Sequence, residues 1–134
     1  MVTMKDYKYI KTLRVVLVEG RCPSKSAKSS TAYENRIEEK AKEQFQAPIK
    51  TKVGVEIDLF YAGEKNRPDI DNAEKLILDS LKGIAFLDDK QVVRSVKNMH
   101  DTTNVITFQN QPIFLIDLLV DGVPEYSVIR IHEK

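Results

Sequence analysis

Lys52-Val53-Gly54-Val55-Glu56-Ile57-Asp58-Leu59-Phe60-Tyr61 is the clearest period-two segment of the chain. Val53, Val55, Ile57 and Leu59 alternate with Gly54, Glu56, Asp58 and Phe60, which predicts a strand over 52–61. A turn-rich connection, Ala62-Gly63-Glu64-Lys65-Asn66-Arg67-Pro68, leads out of it. Beyond it Ala73, Leu76, Ile77, Ser80, Leu81 and Ile84 recur at three- and four-residue spacing, the stripe of a helix laid on a core. Asp71 or Asn72 can cap that helix, and Gly83 is placed to end it. Leu87-Asp88-Asp89-Lys90 then reads as a turn, and Gln91 to Val96 as a valine-rich strand. The unit is β-α-β.

Upstream, Tyr9 to Val18 is strand-like, with Leu13, Val15 and Leu17 on one face and Val16 and Val18 on the other. Gly20 to Ser30 is a polar, basic loop without the glycine order of a phosphate-binding P-loop. Thr31 with Glu34 fits a capping box, and Tyr33, Ile37, Ala41 and Phe45 give the following helix one packing stripe that Pro48 closes. Downstream, Lys97 to Asn104 reads as a loop and 105–108 as a short strand, while 114–120 and 126–131 read as a strand pair around Asp121-Gly122. The expected class is α+β: a small mixed sheet with two main helices in the order β-α-β-α-β. One domain spans 1–134, with 109–134 as a β-rich extension.

A chain of 134 residues favours a single modest core. Its 42% hydrophobic and 31% charged residues exclude general disorder. One cysteine, Cys22, excludes an internal disulfide scaffold. The polar start and the short apolar run at 112–120 give neither a signal peptide nor a membrane span, so a cytoplasmic protein is expected. Net charge is +1, but residues 1–52 carry 12 basic and 6 acidic side chains while 53–134 carry 9 and 14. A basic first part beside an acidic centre suits an enzyme that holds a polyanion with one and a metal with the other.

The acids concentrate in Arg67-Pro68-Asp69-Ile70-Asp71-Asn72-Ala73-Glu74-Lys75 and Leu87-Asp88-Asp89-Lys90-Gln91-Val92. Packing does not require that density, whereas Mg²⁺ at a phosphodiester takes hard carboxylate oxygens. Asp71, Lys75, Asp79 and Lys82 share one side of the second helix, which displays Lys75 beside Asp71. The ordered combination resembles the RusA family of Holliday-junction resolvases over roughly residues 10–108. That resemblance implies Asp69, Asp71 and Asp89 as catalytic carboxylates and Mg²⁺ ligands, with Lys75 as the basic catalytic residue. Asn72 then orients the loop, and Asp88 lies in an outer shell or a solvated turn. The resemblance further implies a homodimer that nicks four-way DNA junctions symmetrically. Arg21, Lys25, Lys28 and Arg67 are the expected DNA contacts.

Each residue alone has a plainer reading. Asp71 suits a helix cap, Asp88-Asp89 a surface turn, and Arg21, Lys25 and Lys28 a solvated connection. Tyr33 and Phe45 are core residues of a helix stripe, and Cys22 lacks a histidine partner in sequence. His100 and His132 are too few for a zinc site. A Pro-Asp…Asp/Glu-x-Lys nuclease fits less well, because Glu74 directly precedes Lys75. Two readings from other classes are a branched-DNA binding protein with little cleavage activity and an interaction protein using the C-terminal β segment.

Overall fold

The strand expected at 52–61 lies inside a four-stranded mixed sheet that two helices cover on one face. In the computed structural model, residues 13–23, 30–65, 67–103 and 125–134 are described. They form β1 (Arg14–Glu19), α1 (Ser30–Gln44), β2 (Val53–Tyr61), α2 (Ile70–Leu81), a 3-10 turn (Asp89–Gln91), β3 (Val92–Asp101) and β4 (Tyr126–Glu133). The sheet order is β1-β4-β2-β3. β4 runs antiparallel to both β1 and β2, whereas β3 is parallel to β2. The α+β class expected from the sequence is the class observed.

The period-two pattern of β2 sets the two faces of the sheet. Val53, Val55, Ile57 and Leu59 join Val16, Val18, Ile129 and Ile131 under Tyr33, Ile37, Ala41 and Phe45 of α1 and Ala73, Leu76, Ile77 and Leu81 of α2. Truncating any of the large aliphatic members to Ala would cost about 2–5 kcal/mol. The other face is covered as well: Phe60, Tyr126 and Val128 are buried with Val15 and Leu17 packed against them. Phe60 stacks between the rings of His100 and Tyr126, at 4.6 and 4.4 Å.

On that second face Asp58 is 1% exposed. Arg130 of β4 reaches its Oδ2 at 2.6 Å, and His100 and Asn98 of β3 reach its Oδ1 at 2.8 and 3.3 Å. Burial alone would raise the Asp58 carboxyl, but the His100 hydrogen bond, the Arg130 and His100 charges and the Asn98 amide together hold it below the ordinary value. Nearby, a Cβ on Gly54 would stand 2.6 Å from the His132 ring, so this position admits the ring only because it has no side chain.

Several expectations change in the structure. The N-cap of α2 is Asp69, not Asp71 or Asn72. α1 already includes Ser30, so Thr31 lies in its first turn rather than at its cap. β3 continues through 97–101, read as loop, because pairing from Gly54↔Arg94 to Tyr61↔Asp101 carries it along β2. The strand expected at 126–131 runs over 126–133 and lies between β1 and β2. The start of the first expected strand at 9–12 and the segments at 105–108 and 114–120 lie outside the described residues. No helix among the described residues is long and apolar enough to cross a membrane.

Candidate active site

Pro68 is buried, and the chain turns there into α2. Asp69 follows with extended backbone (φ −70°, ψ 133°), and its carboxylate accepts the Asp71 N–H at 2.9 Å. An Asp side chain is the right length to satisfy an orphan amide at a helix start. Asp71, one position into the helix, is therefore left to point outward, with its side chain 80% exposed. Glu74 lies three residues later on the same side of the helix.

β3 lies across from this first turn, and its alternation puts Ser95 and Lys97 on the side of α2. The Lys97 Nζ stands 3.0 Å from Asp71 Oδ1 and 3.1 Å from Glu74 Oε1. The Ser95 hydroxyl donates to the other oxygen of Glu74. Hydrogen bonds to Asp71 and then to Glu74 hold the Lys97 ammonium above the ordinary lysine range. The partner that closes on Asp71 is thus Lys97, while Lys75 stands on the exposed side of α2.

Asp88 and Asp89 have unequal roles. Asp88 caps the 3-10 turn, accepting the Lys90 N–H at 3.0 Å, and that bond holds its carboxyl below the ordinary value. Asp89 is exposed in the first turn after the cap, where its backbone carbonyl accepts from Val92. Gln91 fixes the whole turn. Its Oε1 accepts the Leu87 and Asp88 amides at 2.8 and 2.9 Å, and its Nε2 donates to the Ile49 and Thr51 carbonyls at 2.7 and 2.8 Å. Gln91→Ala is expected to cost roughly 2–3 kcal/mol, since four bonds of about 1 kcal/mol each are lost but water recovers some at this exposed site. A urea midpoint lowered accordingly, with faster amide exchange at Leu87 and Asp88, checks it.

Of the expected DNA contacts, Arg21 and Arg67 lie among the described residues. Arg21 spends its guanidinium inside the chain, on the Glu125 carboxylate and on the carbonyls of Ala62, Gly63 and Lys65. It ties the end of β1 to the loop leaving β2 rather than offering its charge to solvent. Arg67 is exposed beside the acidic motif and pairs with Glu64 at 3.2 Å. Lys25 and Lys28 lie outside the described residues. Cys22 is buried, which pushes its thiol up to about 11, so the thiolate a nucleophile needs is scarce at neutral pH.

Among the described residues, no three His, Cys, Asp or Glu side chains converge as a metal-holding group. The structure therefore does not draw Asp69, Asp71 and Asp89 into one cluster. It does bring Asp71 and Glu74 together on a single cation, the Lys97 ammonium. Asp69, Asp71 and Asp89 are exposed carboxylates, the hard oxygen donors Mg²⁺ takes, so the donor chemistry fits such an ion. The glutamate and the strand lysine escaped the sequence reading for different reasons. Glu74 carried a visible signal, its i,i+3 spacing from Asp71, whereas Lys97 carried none until β3 was known to reach it.

The family model described as endodeoxyribonuclease RusA matches residues 19–107, more than half of the chain and all of the acidic motif. No curated protein matches the chain closely enough to stand beside it.

Proposed function

Because the chain belongs to the RusA family of endodeoxyribonucleases, we propose that it nicks four-way DNA junctions symmetrically, as a homodimer, with Mg²⁺ as cofactor. One observation carries the site assignment. Asp69 and Asp71 open α2 and Asp89 opens the turn into β3, all within the matched segment.

On this reading Asp69, Asp71 and Asp89 would hold a divalent ion, whose chemistry there would be polarisation of the scissile phosphate and activation of the attacking water. The chain's own residues do the remaining work. Lys97 holds Asp71 by one carboxylate oxygen and leaves the rest of its side chain open. The N-terminus of α2 adds its partial positive charge beside the phosphate. Lys75, one turn into the helix, serves better as an electrostatic partner of the phosphate than as a base, because at neutral pH an ordinary lysine is already protonated. Gln91 fixes the turn that carries Asp89. Arg67, with Lys25 and Lys28, contacts backbone phosphates. A two-fold dimer presents two such sites to paired strands of a junction.

The test is cleavage of an end-labelled mobile four-way junction against linear duplex of the same sequence, in Mg²⁺ or EDTA. Paired nicks near the branch that require Mg²⁺ are expected. Tight junction binding without products would replace this reading with that of a branched-DNA binding protein. A folded protein that neither binds nor cuts would remove both.

A further inference from the structure

Asp71 and Glu74 bear the same charge and share one side of α2, yet β3 treats them differently. Both oxygens of Glu74 are engaged, Oε1 by Lys97 and Oε2 by Ser95, and its side chain is 21% exposed. Asp71 meets the same ammonium through Oδ1 while its side chain remains 80% exposed. One acid is saturated from the strand side; the other is held but open. Ser95 and Lys97 of β3 engage Glu74, while the exposure of Asp71 follows from its place at the start of α2.

Resting on the nuclease reading above, we propose that Lys97 is a positioning residue for phosphodiester cleavage. It fixes Asp71 by one carboxylate oxygen and, by neutralising Glu74, keeps that second carboxylate from becoming a ligand of the divalent ion. Lys97 therefore sets both the aim of Asp71 and the number of carboxylates a metal meets. Its cost is repulsion. An ammonium near a dication at Asp71 weakens metal binding by about tenfold, taking a separation of roughly 6 Å in aqueous screening.

This predicts opposite changes in affinity and rate, which loss of a purely structural contact would not give. Mn²⁺ binding to the full-length chain is measured by calorimetry for wild type, Lys97→Met, Lys97→Arg and Glu74→Gln, with single-turnover junction nicking at saturating Mn²⁺ alongside. Lys97→Met is expected to bind Mn²⁺ about tenfold tighter and to nick at least about tenfold more slowly, since a misaimed ligand misplaces the reacting phosphate. Lys97→Arg, whose guanidinium can bridge both carboxylates, falls between wild type and Lys97→Met in both measurements. Glu74→Gln weakens Mn²⁺ binding by no more than about tenfold, the same screened charge effect with opposite sign, because it removes no ligand.

Folded Lys97→Met with unchanged or weaker Mn²⁺ affinity, or with the wild-type nicking rate, overturns the inference and leaves the nuclease reading standing. A large loss of Mn²⁺ affinity in Glu74→Gln also overturns it, by making Glu74 a ligand. A wild-type chain that neither binds Mn²⁺ nor nicks junctions removes the nuclease reading, and this inference with it.

Discussion

Asp71→Asn is expected to lower junction nicking by at least about 10³-fold, a loss of about 4 kcal/mol of transition-state stabilisation, while the fold stays intact. The two halves of that expectation have separate causes. Asn keeps the shape of the side chain and one oxygen able to accept from Lys97, but it lacks the negative charge a hard divalent ion requires. The carboxylate is 80% exposed and caps nothing, because Asp69 performs that task. An exposed ion pair contributes no more than about 1 kcal/mol, so thermal stability should barely move. Single-turnover nicking and a melting curve on the same sample check both halves. Nicking within tenfold of wild type would remove Asp71 from the proposed ligand set.

Arg130→Met is expected to have the largest effect on stability, about 3–5 kcal/mol, because it strips the principal countercharge from a buried carboxylate. Arg130 donates to Asp58 Oδ2 at 2.6 Å, with side-chain exposures of 12% and 2%. Met preserves much of the apolar stem, so the change reports on charge more than on packing. His100 and Asn98 remain on the other oxygen, too little to replace a guanidinium. Since whole-domain stability is typically only about 5–15 kcal/mol, the urea midpoint should fall steeply. Adding Asp58→Asn should restore part of the loss by removing the stranded charge.

The same cluster gives a pH dependence. The Asp58 carboxyl is held below its unfolded value in the folded protein. Its contribution is therefore complete above the unfolded carboxylate value of about 3.9 and drains away as pH falls through the folded one. Wild type should lose stability on acidification through that window, and Arg130→Met should lose less, because the depression depends in part on Arg130. An Arg130→Met protein as stable as wild type at pH 7 would refute the assignment.

The parts of this protein visible in its sequence are those whose cause is local. Alternation fixed β2 as a strand, and the stripe from Ala73 to Leu81 fixed α2 as a helix on a core, because burying one face of an element requires its own period. The acidic motif was visible as a concentration of acids that packing does not require, and its resemblance to the RusA family singled out Asp69, Asp71 and Asp89 within it. Leu87 to Lys90 was likewise legible as a turn, while the capping box that Asp88 and Gln91 close there belongs to the structure. Even in the acidic motif the spacing left a choice: it allowed Asp71 or Asn72 as the cap of α2, and the backbone at Asp69 took the role.

What the sequence could not decide is everything that depends on which strands become neighbours. β4 enters between β1 and β2 from the far end of the chain, and nothing in its own period distinguishes a central strand from an appended one. That placement supplies Arg130 to Asp58, just as the parallel pairing of β3 supplies His100 to the same carboxylate and Lys97 to Asp71. Arg21 reads as a loop cation until Glu125 and the carbonyls of Ala62 and Gly63 are found around it. Sequence by itself determined β2, α2 and the acidic motif on which the resemblance to the RusA family rests. Tertiary structure alone decided which charges face them, because pairing between distant strands is a property of the assembled sheet and not of any one segment.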